Sequence, residues 1–172
     1  MRICGVVSSS AADRSTAIGE LAGRWGEIAV RSPPIPFDVG GYYATEMGGD
    51  LHQELIALGT PRPPDDLADW KHQTNAIEGN LARSIDDARR PRPVNLDCGY
   101  LTEAKFVLAT TKNRSHRIYI GRGMFAEITL TFVAGRWTPS SWTYPNYRHP
   151  DVTRFAAETR RTLRSHLGRR VD

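Results

Sequence analysis

A chain of 172 residues, 40% hydrophobic and 24% charged, is long and apolar enough for one globular domain, 1–172, with its own core, and too apolar for disorder. Its net charge of +4 comes from 23 basic and 19 acidic residues, and only Lys71, Lys105 and Lys112 among the basic ones are lysines; an actinobacterial type of high-GC coding bias accounts for the arginine excess. Cys4 and Cys98 form neither a disulfide nor a metal framework, the start MRICGVVSSS is too short an apolar run for a signal peptide, and there is no 18-residue apolar span, so a cytoplasmic chain with no membrane partner is expected.

RICGVVSS is an apolar, β-branched run that reads as a buried strand. ADRSTAIGELAGRWG follows as a helix, with Ala17, Ile18, Leu21, Ala22 and Trp25 at helical spacing and Gly26 at its end. EIAVRSPPIPFD is a strand broken by prolines, which suits a sheet edge. VGGYYATEMGGD is a glycine-rich connection holding at most one helical turn; it carries Asp38, Tyr42, Tyr43 and Glu46, a make-up shared by substrate walls and by plain edge covers. LHQELIALGTP reads as a third strand. PPDDLADWKHQTNAIEGNLARSI is the clearest helix, with Leu67, Trp70, Thr74, Ile77 and Leu81 along one stripe. ARRPRP is a linker.

Beyond it, VNLDCGYL reads as a strand and turn, and TEAKFVLAT as a short helix. HRIYIGRGMFAEITLTFVAGRWTP makes a hairpin with Gly121-Arg122-Gly123 as a three-residue loop, which sets Arg117 opposite Glu127 and Tyr119 opposite Phe125. HPDVTRFAAETRRTLRSHL closes the chain as an arginine-rich amphipathic helix. The order β-α-β-β-α-β, then helix, hairpin and helix, implies an α+β fold. It has a ferredoxin-like core, an added β-hairpin and a C-terminal helix, on an antiparallel or mixed sheet with helices mainly on one face.

The densest polar stretch is ATTKNRSHRIYIGRG. If the short helix continues, Lys105 and Lys112 project from one side, and Arg114, His116 and Arg117 follow at once. Converging ammonium, guanidinium and imidazole donors suit a phosphate, sulfate or carboxylate, with Thr110 and Thr111 as further donors; a solvated helix end is the alternative. Asp97 precedes the Cys-Gly pair, either as a turn former or as a general base near Lys105, and Asn95 alternates with it on the same side of the strand. Glu127 is a cross-strand partner of Arg117 or a base beside it. Tyr100 is a core aromatic or a substrate contact, and Tyr144 in WTYPNYR is expected to pack near the first loop with Tyr43. The catalytic candidates are therefore Asp97, Lys105 and Glu127; the substrate-binding ones are Lys112, Arg114, His116, Arg117, Asn95, Tyr100, Tyr43 and Tyr144. No H-x-x-x-H, H-E-x-x-H or CxxC spacing occurs, so no metal site and no cofactor is expected, with Mg²⁺ entering only alongside a phosphate ester.

Three stretches, PIPFDVGGYYATEMG (34–48), VNLDCGYLTEAKFVLATTKNRSHRIYIGRGMFAEITL (94–130) and WTYPNYR (142–148), resemble the bacterial family catalogued as domain of unknown function 4416. The resemblance runs nearly the whole chain. Members usually carry proline where this chain has Cys98, which argues against a shared thiol mechanism. Members are also often labelled GTP-binding, but the first strand here ends in SSSAAD and lacks the glycines and lysine of a P-loop. The reading that emerges is a cofactor-independent enzyme for a small anionic metabolite, by acid/base-assisted elimination, cyclisation or group transfer. The alternatives are a nucleotide- or RNA-binding module and a non-catalytic partner subunit. A homodimer or protein partner is compatible with all three; no nucleic-acid motif accompanies the basic charge.

Overall fold

The computed structural model describes residues 1–37 and 43–168; Asp38 and Tyr42 of the glycine-rich loop lie outside them, as does the end of the basic C-terminal run. The chain forms β1 (Arg2–Ser8), α1 (Ala11–Trp25), β2 (Ile28–Arg31), β3 (Ile35–Pro36), the single turn α2 (Ala44–Met47), β4 (His52–Leu58), α3 (Leu67–Ile85), β5 (Asn95–Leu101), β6 (Lys105–Thr110), β7 (Ile118–Gly121), β8 (Met124–Val133), β9 (Arg136–Pro139) and α4 (Pro150–His166). It is a mixed α+β fold. One nine-stranded sheet runs in the order β2-β4-β1-β5-β6-β8-β7, with β3 on β4 and β9 on β8, and its neighbouring strands pair antiparallel.

Ser10 caps α1, its hydroxyl accepting from Asp13 N at 3.2 Å, and Gly26 ends the helix with φ 102°, a backbone region that glycine enters at little cost. The predicted stripe of α3, Leu67, Trp70, Thr74, Ile77 and Leu81, is buried throughout. With α1 it covers one sheet face, packing on Cys4, Val6, Ile56, Leu58, Leu96, Cys98 and Val107. The opposite face, built from Ile3, Leu55, Ala57, Leu101, Phe106 and Leu130, is covered by Val152, Phe155 and Ala156 of α4. Two of the three long helices thus lie on one face and α4 on the other.

Three local readings are corrected. Residues 105–110 form strand β6, not a helix: Phe106, Val107, Leu108 and Ala109 are all buried, because one face of the strand meets α3 and the other α4. A strand buried on both faces shows no alternation. Asp97 is followed by no turn, and β5 continues unbroken to Leu101. The loop between β7 and β8 is shorter than three residues, since Gly121 itself pairs with Met124, leaving Arg122 (φ 53°) and Gly123 (φ 76°) as a tight turn with both residues left-handed. The sequence reading also had no β9, which returns from β8 through Ala134 and Gly135, both at positive φ.

The sheet opens between two of its central strands. Strands β5 and β6 pair only over Gly99↔Leu108, Tyr100↔Val107 and Leu101↔Phe106, while β5 continues back to Asn95 against β1 and β6 continues on to Thr110 against β8. The two strands fork at Gly99. A side chain there would meet the Val107 carbonyl oxygen at 1.9 Å, so the close approach at the crotch of the fork admits only glycine.

Candidate functional site

Parting strands leave backbone groups without ladder partners, and a buried peptide group left unpaired is costly. At Leu96, α3 supplies the missing bonds: Glu78 Oε1 accepts from Leu96 N at 2.8 Å, and Lys71 Nζ donates to Leu96 O at 2.7 Å. The two side chains stand 3.8 Å apart and are both nearly enclosed. Burial pushes the Glu78 carboxyl above its ordinary value against the pull of Lys71 and Arg92. Burial works against the Lys71 charge, but Glu78, Cys98 and Asp97 outweigh it and hold the ammonium above its ordinary value. Arg92 closes the network, reaching Glu78 Oε2 at 3.3 Å and the side-chain oxygen of Asn95, and its guanidinium lies 5.7 Å from the centre of the Tyr43 ring.

Between the parted strands lies a cavity of about 460 Å³. Its floor holds Lys71, Asn95 and Asp97, and Phe37, Tyr43, Tyr144 and Tyr147 supply aromatic wall. Lys112 and Arg114 stand at the exposed rim, with Arg117 and Glu127 lining the cavity from beneath. The first loop and Tyr144 therefore share one cavity, as the sequence suggested. Asn95 and Asp97 do point to one side of β5. The Asp97 carboxylate has no hydrogen bond or ion pair among the described residues, and the same holds for the Arg114 guanidinium.

Glu127 is held through one of its two oxygens. Its Oε2 accepts from Arg117 Nε at 2.6 Å and lies 3.2 Å from His116 Nε2. Arg117 Nη1 also donates to the Lys112 carbonyl at 2.9 Å, and His116 stacks on Trp142 at 5.2 Å. The Arg117–Glu127 pair foreseen from the hairpin register is present, and it pins the basic loop onto β8. His116 supports this anchor without lining the cavity.

Two candidates stand elsewhere. Lys105 is exposed at the far end of β6, five residues from Thr110 or roughly 17 Å of strand, so it does not share a side with Lys112. Tyr100 lies on the opposite face of β5 from Asp97, packed against the α1/α3 core, and burial raises its hydroxyl above the ordinary value. Cys98 is fully buried, and burial pushes its thiol up to about 11. Arg90 and Arg92, in the linker stretch ARRPRP, are ion-paired, Arg90 with Asp13 at 2.7 Å and with Asp87 at 3.0 Å and Arg92 with Glu78 at 3.3 Å.

The sequence reading missed Lys71, Arg92, Asn146 and Tyr147. The signal for Lys71 was its position: it falls between Leu67, Trp70 and Thr74 on the apolar stripe of α3, where a lysine needs a buried partner. Asn146 Nδ2 donates to Gln53 Oε1 at 2.9 Å, and Gln53 Nε2 donates to the Tyr147 hydroxyl at 2.9 Å, all three residues being buried. Among the described residues no group of three or more His, Cys, Asp or Glu is placed to hold a metal ion, and no helix is long and apolar enough to cross a membrane.

The fold and cavity define an α+β protein whose antiparallel sheet opens at one end around a polar, mainly cationic pocket. The family described as Domain of unknown function (DUF4416) matches residues 1–163, and the chain belongs to it. Neither a curated protein nor a solved structure matches the chain.

Proposed function

We propose that this chain is a small-molecule enzyme whose forked-sheet cavity binds a phosphate- or sulfate-bearing substrate. In this reading Lys112 and Arg114 receive the anionic group at the rim, and Asp97 is the base at the floor. The observation that carries it is a carboxylate with no hydrogen-bond or ion-pair partner among the described residues, facing the same cavity as an exposed guanidinium of which the same is true: such a carboxylate can accept a proton, and a guanidinium offers a phosphate or sulfate two parallel bonds. Arg117, held by Glu127, adds positive potential and fixes the loop, so Glu127 acts as an anchor rather than as the base. No step calls for a cofactor, and Mg²⁺ would accompany only a phosphate ester. The half-sheet β2-β4-β1-β5 with α1 and α3 is what a ferredoxin-like core would supply, the β6–β9 half being an addition to it, and a single cytoplasmic domain is the working unit.

Thermal shift against inorganic phosphate and sulfate tests the rim. A ligand at one hundred times its Kd contributes about 2.7 kcal/mol, a rise of several degrees for a chain of this length. The native chain is expected to shift, and Lys112→Ala and Arg114→Ala to respond less. Equal shifts in all three sink the rim site. A nucleotide-binding module is the second reading, favoured by the aromatic walls; it requires nucleotides to outbind phosphate and sulfate.

A further inference from the structure

Two buried donors flank Asp97. Lys71 Nζ sits 2.7 Å from the carbonyl oxygen of Leu96, the residue before it. Of the three ammonium donors one is spent there and Glu78 balances the charge from 3.8 Å, which leaves donor capacity toward the cavity that Lys71 lines. On the other side, the Tyr147 hydroxyl is 2.9 Å from where a Cβ on Gly5 would stand, and Gly5 is the residue that pairs with Asp97 across the β1–β5 ladder. Cross-strand neighbours on one face have Cβ atoms about 5 Å apart, so hydroxyl and carboxylate share one corner. The relay Asn146→Gln53→Tyr147 fills the hydroxyl as an acceptor and leaves its proton to donate. Burial first, and then Asp97, raise the Tyr147 hydroxyl well above its ordinary value, and the Lys71 ammonium is held above its own, so both stay protonated donors at neutral pH.

We propose that the floor of the cavity is an oxyanion site, in which Tyr147 and Lys71 hold a carbonyl oxygen while Asp97 removes a proton from the adjacent carbon. This rests on the enzyme reading above and names its substrate class: a carbonyl compound with a phosphate or sulfate ester on its β carbon. Asp97 takes the α proton, and the electrons of the broken C–H bond form an enolate whose oxygen sits between the two donors. The carbonyl then re-forms, the electron pair becomes the α,β double bond, and the bond from the β carbon to the ester oxygen breaks. The phosphate or sulfate departs with that bond's electrons toward Lys112 and Arg114, and Asp97 later passes its proton to water. The step needs no oxidant, reductant or co-reactant.

Calorimetry with two probes tests this: phosphonoacetohydroxamate, which joins a phosphonate to an enolate-like oxygen, and ethylphosphonate, which has the phosphonate alone. The native chain is expected to bind the hydroxamate about tenfold tighter, the scale of one hydrogen bond to a charged group. Tyr147→Phe and Asp97→Asn should each shrink that ratio and leave the ethylphosphonate affinity in place, whereas Arg114→Ala should weaken both probes alike. Equal affinities in the native chain, or a ratio that Tyr147→Phe does not move, overturn the oxyanion site and leave the anion rim standing. If neither probe binds, the rim fails and this inference with it.

Discussion

Cys98 has Asp97 on one side in sequence, Lys71 and Thr74 above it, and a cavity one residue away, yet its chemistry is set by burial. Its side chain faces the α1/α3 core while that of Asp97 faces the cavity, because alternate residues of a strand point to opposite faces. With no solvent contact and a thiol pushed up to about 11, it carries almost no thiolate at neutral pH. Cys4, paired with it across the β1–β5 ladder, is pushed up well above its ordinary value by the same burial. Both thiols should therefore resist a disulfide reagent at pH 8 in the native chain and react together once denaturant unfolds it. Rapid labelling of Cys98 without denaturant would show a thiol open to solvent and revive it as a nucleophile. Gly99 gives a second test of the same strand. Alanine there would drive a methyl group into the Val107 carbonyl, so Gly99→Ala should cost several kcal/mol in chemical denaturation, beyond the usual range of about 0.5–3 for single changes.

At the scale of elements, α3 acts as a substitute strand. Where β6 leaves β5, the side chains of Lys71 and Glu78 make the two bonds to Leu96 that a ladder neighbour would have made. Removing Glu78 leaves the buried Lys71 ammonium without its nearest carboxylate beside an unpaired Leu96 N–H, and removing Lys71 leaves the Leu96 carbonyl unpaired and Glu78 with Arg92 as its remaining cation. Glu78→Ala and Lys71→Met should thus each cost on the order of 3–5 kcal/mol, whereas the double variant should cost clearly less than the sum, as coupled neighbours do. Strict additivity in urea melts would show that the two side chains act separately. This arrangement was only half legible in the sequence. The α3 stripe could be read because a helix with one buried face has a period. Strand β6 could not, because its four buried residues form an unbroken apolar run with helix-favouring Leu and Ala among them and Lys105 just before it. That error carried Lys105 to the wrong end of the site and hid the fork. Lys112, Arg114 and Arg117 survived it, since a loop cluster keeps its neighbours whichever element precedes it.

Across the whole molecule, the fork divides the sheet into two unequal parts. Strand β1 is the centre of one, paired along its length with β4 and β5 and buried at every position. The β6–β9 part is tied to it by the three residue pairs of β5 and β6, by α3, which packs on β5 of one part and on β6, β7 and β8 of the other, and by α4, which packs on β2, β4 and β5 of one part and β9 of the other. At its outer rim β7 is a four-residue edge strand with Ile118 and Tyr119 exposed. Amides buried in a two-sided ladder exchange through large openings, and those at edges or forks through small local ones. Hydrogen exchange should therefore be slowest in β1 and its ladder partners β4 and β5, and orders of magnitude faster in β7 and in residues 111–114 beyond the end of β6. Phosphate or sulfate bound at the rim should protect residues 110–117 and leave β7 unchanged, because Arg117 links that loop to the cavity and not to the outer edge. Protection confined to β7, or spread evenly over the sheet, would place the anion somewhere other than the fork.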